Sequence, residues 1–200
     1  LEVLADIFGS ERILPAPVSF VDIAGIVRGA SEGEGLGNQF LATIREADAI
    51  AQVVRGFADP DVIHVDGAVD PASDIATILT ELALADLQTL EKAINRYERE
   101  VKGKKTEPIV LETALAAKAI LDAGTPLSTS NLDITPIREL GLLTAKPILY
   151  VFNVDDAVLG DPAKRAELTA LVPGAEVVML DAKLESELID LDPADAAELL

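Results

Sequence analysis

The chain has 200 residues, half of them hydrophobic, and a formal net charge of -19 from 16 basic and 35 acidic side chains. This predicts a globular chain with a sizeable core, as one domain with an insertion or two small domains. The charge opposes a broad nucleic-acid surface and binding to anionic membranes, so any RNA contact must be local. The absence of cysteine excludes disulfides and thiolate metal sites. Without a long apolar run or a signal-peptide pattern, we expect a cytoplasmic protein.

The first elements lead to a carboxylate and a glycine. Apolar residues at helical spacing predict a short helix over residues 1–8, and two prolines then favour an extended approach to a buried strand at residues 18–22. Asp22 ends this strand, where parallel sheets bind ligands, and its carboxylate suits Mg²⁺. The backbone N–H of Gly25 can approach a γ-phosphate, so DIAG fits the D-x-x-G element of phosphate-switch proteins. Alone, this pattern also fits an ordinary exit from a strand.

A glycine-rich segment and a helix follow. We expect Asn38 to cap this helix, with Phe40, Leu41 and Ile44 on its apolar face. A mobile hinge followed by an anchored helix is typical of a nucleotide-dependent switch. A second buried strand is predicted at residues 49–54.

The pattern then changes to two long helices. Steps of three and four between apolar residues predict an antiparallel helical hairpin over residues 71–123, with Asp70 as its N-cap. Plain core helices of a bundle are the alternative. The turn between the helices holds the densest basic cluster, which fits either a solvated turn or a local contact with phosphates: Lys102, Lys104 and Lys105.

Alternating β and α patterns complete the chain and predict a parallel sheet covered on both faces. The predicted elements are a short helix at 136–143, a strand at 147–152, a helix at 162–171, a strand at 175–180 and acidic helices to residue 200. The sheet domain is therefore expected to be split between residues 1–67 and 144–200. A helical coiled-coil arm, residues 68–143, is inserted between its halves.

Two loops follow the last strands, where such folds bind ligands. The segment from Asn153 to Asp156 resembles the base-reading N-K-x-D motif, with Val154 in place of lysine. Ala182 and Lys183, preceded by an aspartate, resemble an S-A-K loop. Asp156 can accept hydrogen bonds from N1–H and N2–H of guanine and by itself favours GTP, whereas Val154 and the aspartate oppose guanine reading. The residues predict a nucleotide-base site and leave the base open.

These segments together resemble the Obg-like ATPases, YchF subfamily, within the P-loop NTPases. The switch II region of that family is similar to DIAGIVRGASEGEGLGNQFLATIREADAI. Four further segments resemble the family and follow in the same order along the chain as in that family: ERILPAP, DVIHVDG, TELALADLQTLEKAI and KPILYVFNVDD. The resemblance implies a G-domain-like α/β fold, ATP hydrolysis with Mg²⁺ near Asp22, γ-phosphate sensing by Gly25, and association with ribosomes. It also places His64 near the attacking water, because Ile26 stands where many GTPases carry a glutamine.

One family element is missing from the sequence: G-x-x-x-x-G-K-[ST], the loop that cradles phosphates, does not occur. We therefore expect an internal fragment that lacks the phosphate loop and the C-terminal domain. Its intact parent would hydrolyse ATP, and the fragment by itself would be inactive. The alternatives are a GTPase of the Obg class and a catalytically silent interaction module that acts through the helical arm.

Overall fold

The computed structural model describes residues 2–10, 12–23, 36–57 and 69–189, together with residues 191, 192 and 195. Its helices are α1 Glu2–Phe8, α2 Leu36–Glu46, α3 Pro71–Lys102, α4 Pro108–Asp122, α5 Asp156–Leu159, α6 Pro162–Ala170 and α7 Ala182–Ile189. Its strands are β1 Ile50–Arg55, β2 Ile148–Asn153 and β3 Glu176–Leu180. Three 3-10 turns connect α4 to β2: Leu127–Thr129, Thr135–Leu140 and Leu143–Ala145. Among these described helices, none is both long and apolar enough to cross a membrane.

The three strands form a parallel sheet in the order β1-β2-β3. Val54 lies opposite Phe152, and Phe152 lies opposite Met179, so one face of the sheet carries a continuous apolar row. Val54 and Phe152 are buried, and the first turns of α3 pack against this face through Ile75 and Leu79. The predicted α/β fold with a parallel sheet is confirmed.

The helical hairpin forms where the spacing predicts it, between β1 and β2 in the chain. The Asp70 carboxylate accepts a hydrogen bond from the Ser73 N–H at 3.1 Å and caps α3, as expected. Residues 103–107 join α3 to α4, and a connection this short between packed helices makes them antiparallel. The buried residues between them are Leu90, Ala93, Ile94 and Tyr97 of α3 and Ala114, Ala117 and Leu121 of α4. The division into a split sheet domain and an inserted arm stays a prediction.

Both long helices end in the same hydrogen-bonding motif with different residues. At the end of α3, Lys105 N–H donates to Glu100 O at 2.8 Å and Lys104 N–H donates to Val101 O at 3.0 Å. This is the Schellman pattern, and it gives Lys104 a φ of 54°, in the left-handed region that favours glycine. At the end of α4 the equivalent residue is Gly124, with a φ of 75°.

Three predictions of local structure are wrong. Residues 18–22 do not form a buried strand: the chain from 12 to 23 is neither helix nor strand, and Phe20 is 86% exposed. A strand needs a partner, and none of the three described strands pairs with this segment. Asn38 does not cap α2, because that helix begins at Leu36.

The third error concerns the second half of the chain. The helix expected at residues 136–143 is replaced by 3-10 turns, because Gly141 takes a φ of 57° and interrupts them. In the acidic C-terminal segment α7 ends at Ile189 and Asp195 is again helical. Residues 190, 193, 194 and 196–200 lie outside the described part of the chain, so the acidic helices expected up to residue 200 stay a prediction.

Candidate functional site

The carboxyl ends of the three strands bring three loops to one edge of the sheet. Arg55, Asn153 and Leu180 are the last residues of β1, β2 and β3, and the register places them side by side. Backbone hydrogen bonds continue past the strands: Gly56 N–H donates to Asn153 O at 2.7 Å, and Val154 N–H donates to Leu180 O at 2.9 Å. The loops after β2 and β3 therefore start from fixed positions at the edge where open α/β sheets bind ligands.

A side-chain hydrogen bond connects these two loops. Asn153 Oδ1 accepts from the backbone N–H of Ala182 at 3.0 Å, across 29 residues of sequence. The structure thus brings together the N-x-x-D segment and the loop that resembles S-A-K, as their order along the chain predicts. The assignment of Asn153 and Ala182 to a nucleotide stays a prediction, but their proximity is a requirement that the structure meets.

The two aspartates of the first loop have different positions. Asp155 caps α5, because its Oδ1 accepts from Val158 N–H at 2.9 Å. Asp156 is the first residue of α5, and it is exposed at the edge of the sheet. Of the two carboxylates, Asp156 is therefore the one whose exposure suits contact with a ligand.

Asp181, which stands where the S-A-K pattern has serine, holds the second loop. Asp181 Oδ1 accepts from Lys183 N–H at 2.9 Å and from Leu184 N–H at 3.0 Å, which caps the start of α7. Serine and aspartate are both good N-caps, so this aspartate keeps the local conformation that a serine would support. Lys183 lies in the first turn of α7 with an exposed side chain.

Val154 occupies a different place from the one expected for a base contact. Its side chain is 1% exposed and belongs to the core with Val54 and Phe152. A Cβ added to Gly56 would lie 2.8 Å from Val154 Cγ1, so the Gly56 backbone packs directly against the Val154 side chain. This burial disfavours the predicted contact between Val154 and a nucleotide base. The signal was available in the sequence, because Val154 continues the alternation of Tyr150 and Phe152 on the buried face.

Comparisons with known proteins identify the family and agree with the fold. The family described as 50S ribosome-binding GTPase matches residues 9–112, which is more than half of the chain. The chain belongs to the YchF family of Obg-like P-loop NTPases. The ribosome-binding ATPase YchF of Haemophilus influenzae is 45% identical over 209 residues, which cover 100% of this chain and 57% of that protein. The ribosome-binding ATPase YchF of Bacillus subtilis is 40% identical over 202 residues, which cover 96% of this chain and 55% of that protein.

A solved structure gives the same result. The YchF GTPase of Schizosaccharomyces pombe superposes with a TM-score of 0.75 at 30% identity, covering 98% of this chain and 56% of that one. The chain thus spans slightly more than half the length of the YchF proteins that it matches. The YchF family consists of P-loop nucleotide hydrolases, and its members are named both as ATPases and as GTPases.

The YchF family implies Mg²⁺, and Asp22 is the predicted metal ligand. Asp22 is exposed at the end of an extended segment, and the described residues hold no group of three or more side chains that could bind a metal. A single carboxylate fits Mg²⁺, which proteins usually hold through one or two carboxylates together with substrate phosphates. Gly25 and His64, the two predicted catalytic residues, lie outside the described residues.

Proposed function

We propose that the complete protein is a ribosome-binding nucleotide hydrolase that binds Mg²⁺ and ATP and uses the D-x-x-G segment as its switch. Asn153, Asp156, Ala182 and Lys183 would surround the base. Asp22 would hold the metal ion, which would neutralise charge on the phosphates. The observation that carries this proposal is the hydrogen bond between Asn153 Oδ1 and Ala182 N–H at 3.0 Å, which fixes the two loops of the proposed base site against each other.

The same hydrogen bond supports ATP over GTP. In the guanine reading of this fold, the backbone N–H of the loop after β3 would donate to guanine O6, whereas here that donor is already committed to Asn153. An acceptor left without its donor costs about 1–3 kcal/mol, so one altered contact can change preference by roughly ten- to a hundredfold. The exposed carboxylate of Asp156 favours the second candidate, GTP, because it could accept from N1–H and N2–H of guanine.

Titration calorimetry of the complete protein with ATP and GTP decides between the two bases. We expect tighter binding of ATP, and we expect Asp156→Glu to widen the difference by weakening GTP. Asp161→Glu, the same change at the cap of α6, is the matched control and should leave the ratio unchanged. A preference for GTP of about tenfold or more, roughly 1.4 kcal/mol, would refute the ATP assignment.

The proposed ribosome contact is the tip of the helical hairpin. Lys102, Lys104 and Lys105 are exposed together there, in a chain with a net charge of -19. Lys104 also occupies a left-handed backbone position, with a φ of 54°, where glycine would be more stable. Residues kept in unfavourable backbone conformations are concentrated at functional sites, so this strain supports a role for the tip.

Salt dependence of ribosome binding by the complete protein tests this contact. If each of the three lysines meets one RNA phosphate, replacing all of them with glutamine lowers the slope of log affinity against log salt by roughly 2–3. Lys164→Gln, which removes an exposed lysine of α6, is the control. An unchanged slope in the triple variant would assign the ribosome contact to another surface. Ribosome binding without hydrolysis of either nucleotide would favour the catalytically silent interaction module.

A further inference from the structure

Three segments that are far apart in sequence meet at the base of the helical hairpin. They are the end of α2, the middle of α3 and the return segment, residues 140–146, which leads into β2. Their buried apolar residues form one cluster: Leu41 and Ile44 of α2, Leu82 and Ala85 of α3, and Leu143 of the return segment. Ile23, which follows Asp22 in the D-x-x-G segment, packs against the same cluster. We call this region the junction.

Arg45 connects all three segments through its guanidinium group. Its Nη1 donates to Gly141 O at 3.0 Å and to Leu140 O at 3.3 Å, while its Nη2 donates to Thr89 Oγ1 at 2.9 Å. These contacts span 96, 95 and 44 residues of sequence. The side chain is half-buried and belongs to the last turn of α2, where a cation also suits the helix dipole.

Asp86 fastens α3 to the return segment beside this arginine. The carboxylate is fully buried, with Oδ1 accepting from Leu143 N–H at 2.8 Å and Oδ2 accepting from Thr144 N–H at 2.8 Å and Thr144 Oγ1 at 2.7 Å. Lys146 completes the junction from the other side, because its Nζ donates to the backbone carbonyls of Arg45, at 3.2 Å, and of Ala47. Helix α2 is therefore held at its C-terminal end by both α3 and the return segment.

We propose that Arg45 is a positioning residue that passes movement of Ile23 and α2 to the helical hairpin. The reason is its placement: α2 and Ile23 belong to the predicted switch, whereas Thr89 belongs to the same unbroken helix as the tip. From Thr89 the helix runs about 20 Å to Lys102, so a tilt of α3 of about 5° at the junction moves the tip by roughly 2 Å. This inference rests on the proposed nucleotide switch.

Hydrogen exchange of the complete protein, with ADP and with a non-hydrolysable ATP analogue, tests the coupling. In the wild type we expect the hydrogen-exchange rates of residues 82–90 and 140–146 to differ at least about fivefold between the two nucleotides. This factor is the lower end of the range found for coupling between two binding sites. Arg45→Gln should reduce that difference below about twofold, while protection of residues 153–156 and 181–184 by either nucleotide persists. Arg45→Lys, which keeps the charge and loses the fork, should restore only part of the response.

Two further variants keep the test decisive. Thr89→Val removes the α3 acceptor of Arg45 at nearly constant volume and should reproduce the loss if Arg45→Gln fails to fold. Arg138→Gln removes an exposed charge near the junction and should change nothing. A full response in folded Arg45→Gln or Thr89→Val overturns the inference. The inference is also overturned if, in the wild type, nucleotide protects the nucleotide site while hydrogen exchange in residues 82–90 does not change. If neither nucleotide protects residues 153–156, the proposed function itself fails and the coupling fails with it.

Discussion

Replacing Lys104 with glycine should stabilise the helical hairpin, although it removes a side chain from the surface. The φ of 54° at Lys104 costs an L-residue roughly 1–2 kcal/mol, and glycine escapes this cost. Glycine is also freer in the unfolded chain, which offsets about 0.5–1 kcal/mol of the gain. We therefore expect Lys104→Gly to be more stable than Lys104→Ala by about 0.5–1 kcal/mol, measured by urea denaturation of the complete protein. Comparison with alanine cancels the loss of the lysine itself.

The end of α4 provides the reciprocal control. Gly124 occupies the same position of the same motif with a φ of 75°, and a Cβ added there would meet no atom within 4 Å. Gly124→Ala should therefore lose stability through backbone conformation alone, by about 0.5–1 kcal/mol. If Lys104→Gly proves no more stable than Lys104→Ala, the left-handed position of Lys104 is not strained. The argument from backbone strain for a functional tip then fails. Weaker ribosome binding by both Lys104 variants would instead assign a role to the charge.

Three other predictions follow. Burial raises the pKa of the Asp86 carboxyl above its ordinary 3.8, although the hydrogen bonds from Thr144 and Leu143 lower it. The folded state therefore binds this proton more tightly than the unfolded state does. The stability that Asp86 contributes is present below pH 3.8 and is lost as pH rises through the folded pKa. Urea titrations should show the stability of wild type relative to Asp86→Asn falling over that window, and a pH-independent difference would contradict the assignment. His64→Ala in the complete protein should slow hydrolysis at least about tenfold, or 1.4 kcal/mol of barrier, with ATP affinity nearly unchanged, and equal single-turnover rates would remove His64 from catalysis. The 200-residue chain by itself should bind nucleoside triphosphates with a dissociation constant above about 10 µM, a binding free energy of roughly 7 kcal/mol, because no phosphate loop occurs in it. Tighter binding in calorimetry would contradict this.

Local patterns predicted the elements that depend on local interactions. Six elements lie within about two residues of their predicted positions: the strands β1, β2 and β3 and the helices α3, α4 and α6. Their signals, apolar periodicity and caps such as Asp70, depend only on residues that are close in sequence. The segment 18–22 has the same β-rich composition and forms no strand, since pairing with another strand is not a property of the segment.

The candidate site divides in the same way. The topology of a parallel sheet was sufficient to predict that Asn153 and Ala182 meet, because both follow strands whose carboxyl ends share an edge. The contacts of Arg45 could not be predicted, because Gly141 and Leu140 lie 96 and 95 residues away and offer backbone carbonyls, which every residue type has. A side chain that donates to a backbone carbonyl places no requirement on the residue type that carries the carbonyl, so the sequence gives no sign of the contact.

Helix α3 connects the proposed nucleotide site to the proposed contact surface at the hairpin tip. Its first turns pack on the sheet through Ile75, its middle packs on α2 through Leu82, and its last turns pack on α4 through Tyr97. The helix has 32 residues with no internal glycine and a proline only at its first position, so no hinge separates these three contacts. A stiff helix fixed at its middle can only tilt as a whole. The proposed coupling uses this property: a change in how α2 sits against Leu82 and Thr89 would tilt α3 and move the lysines at the tip.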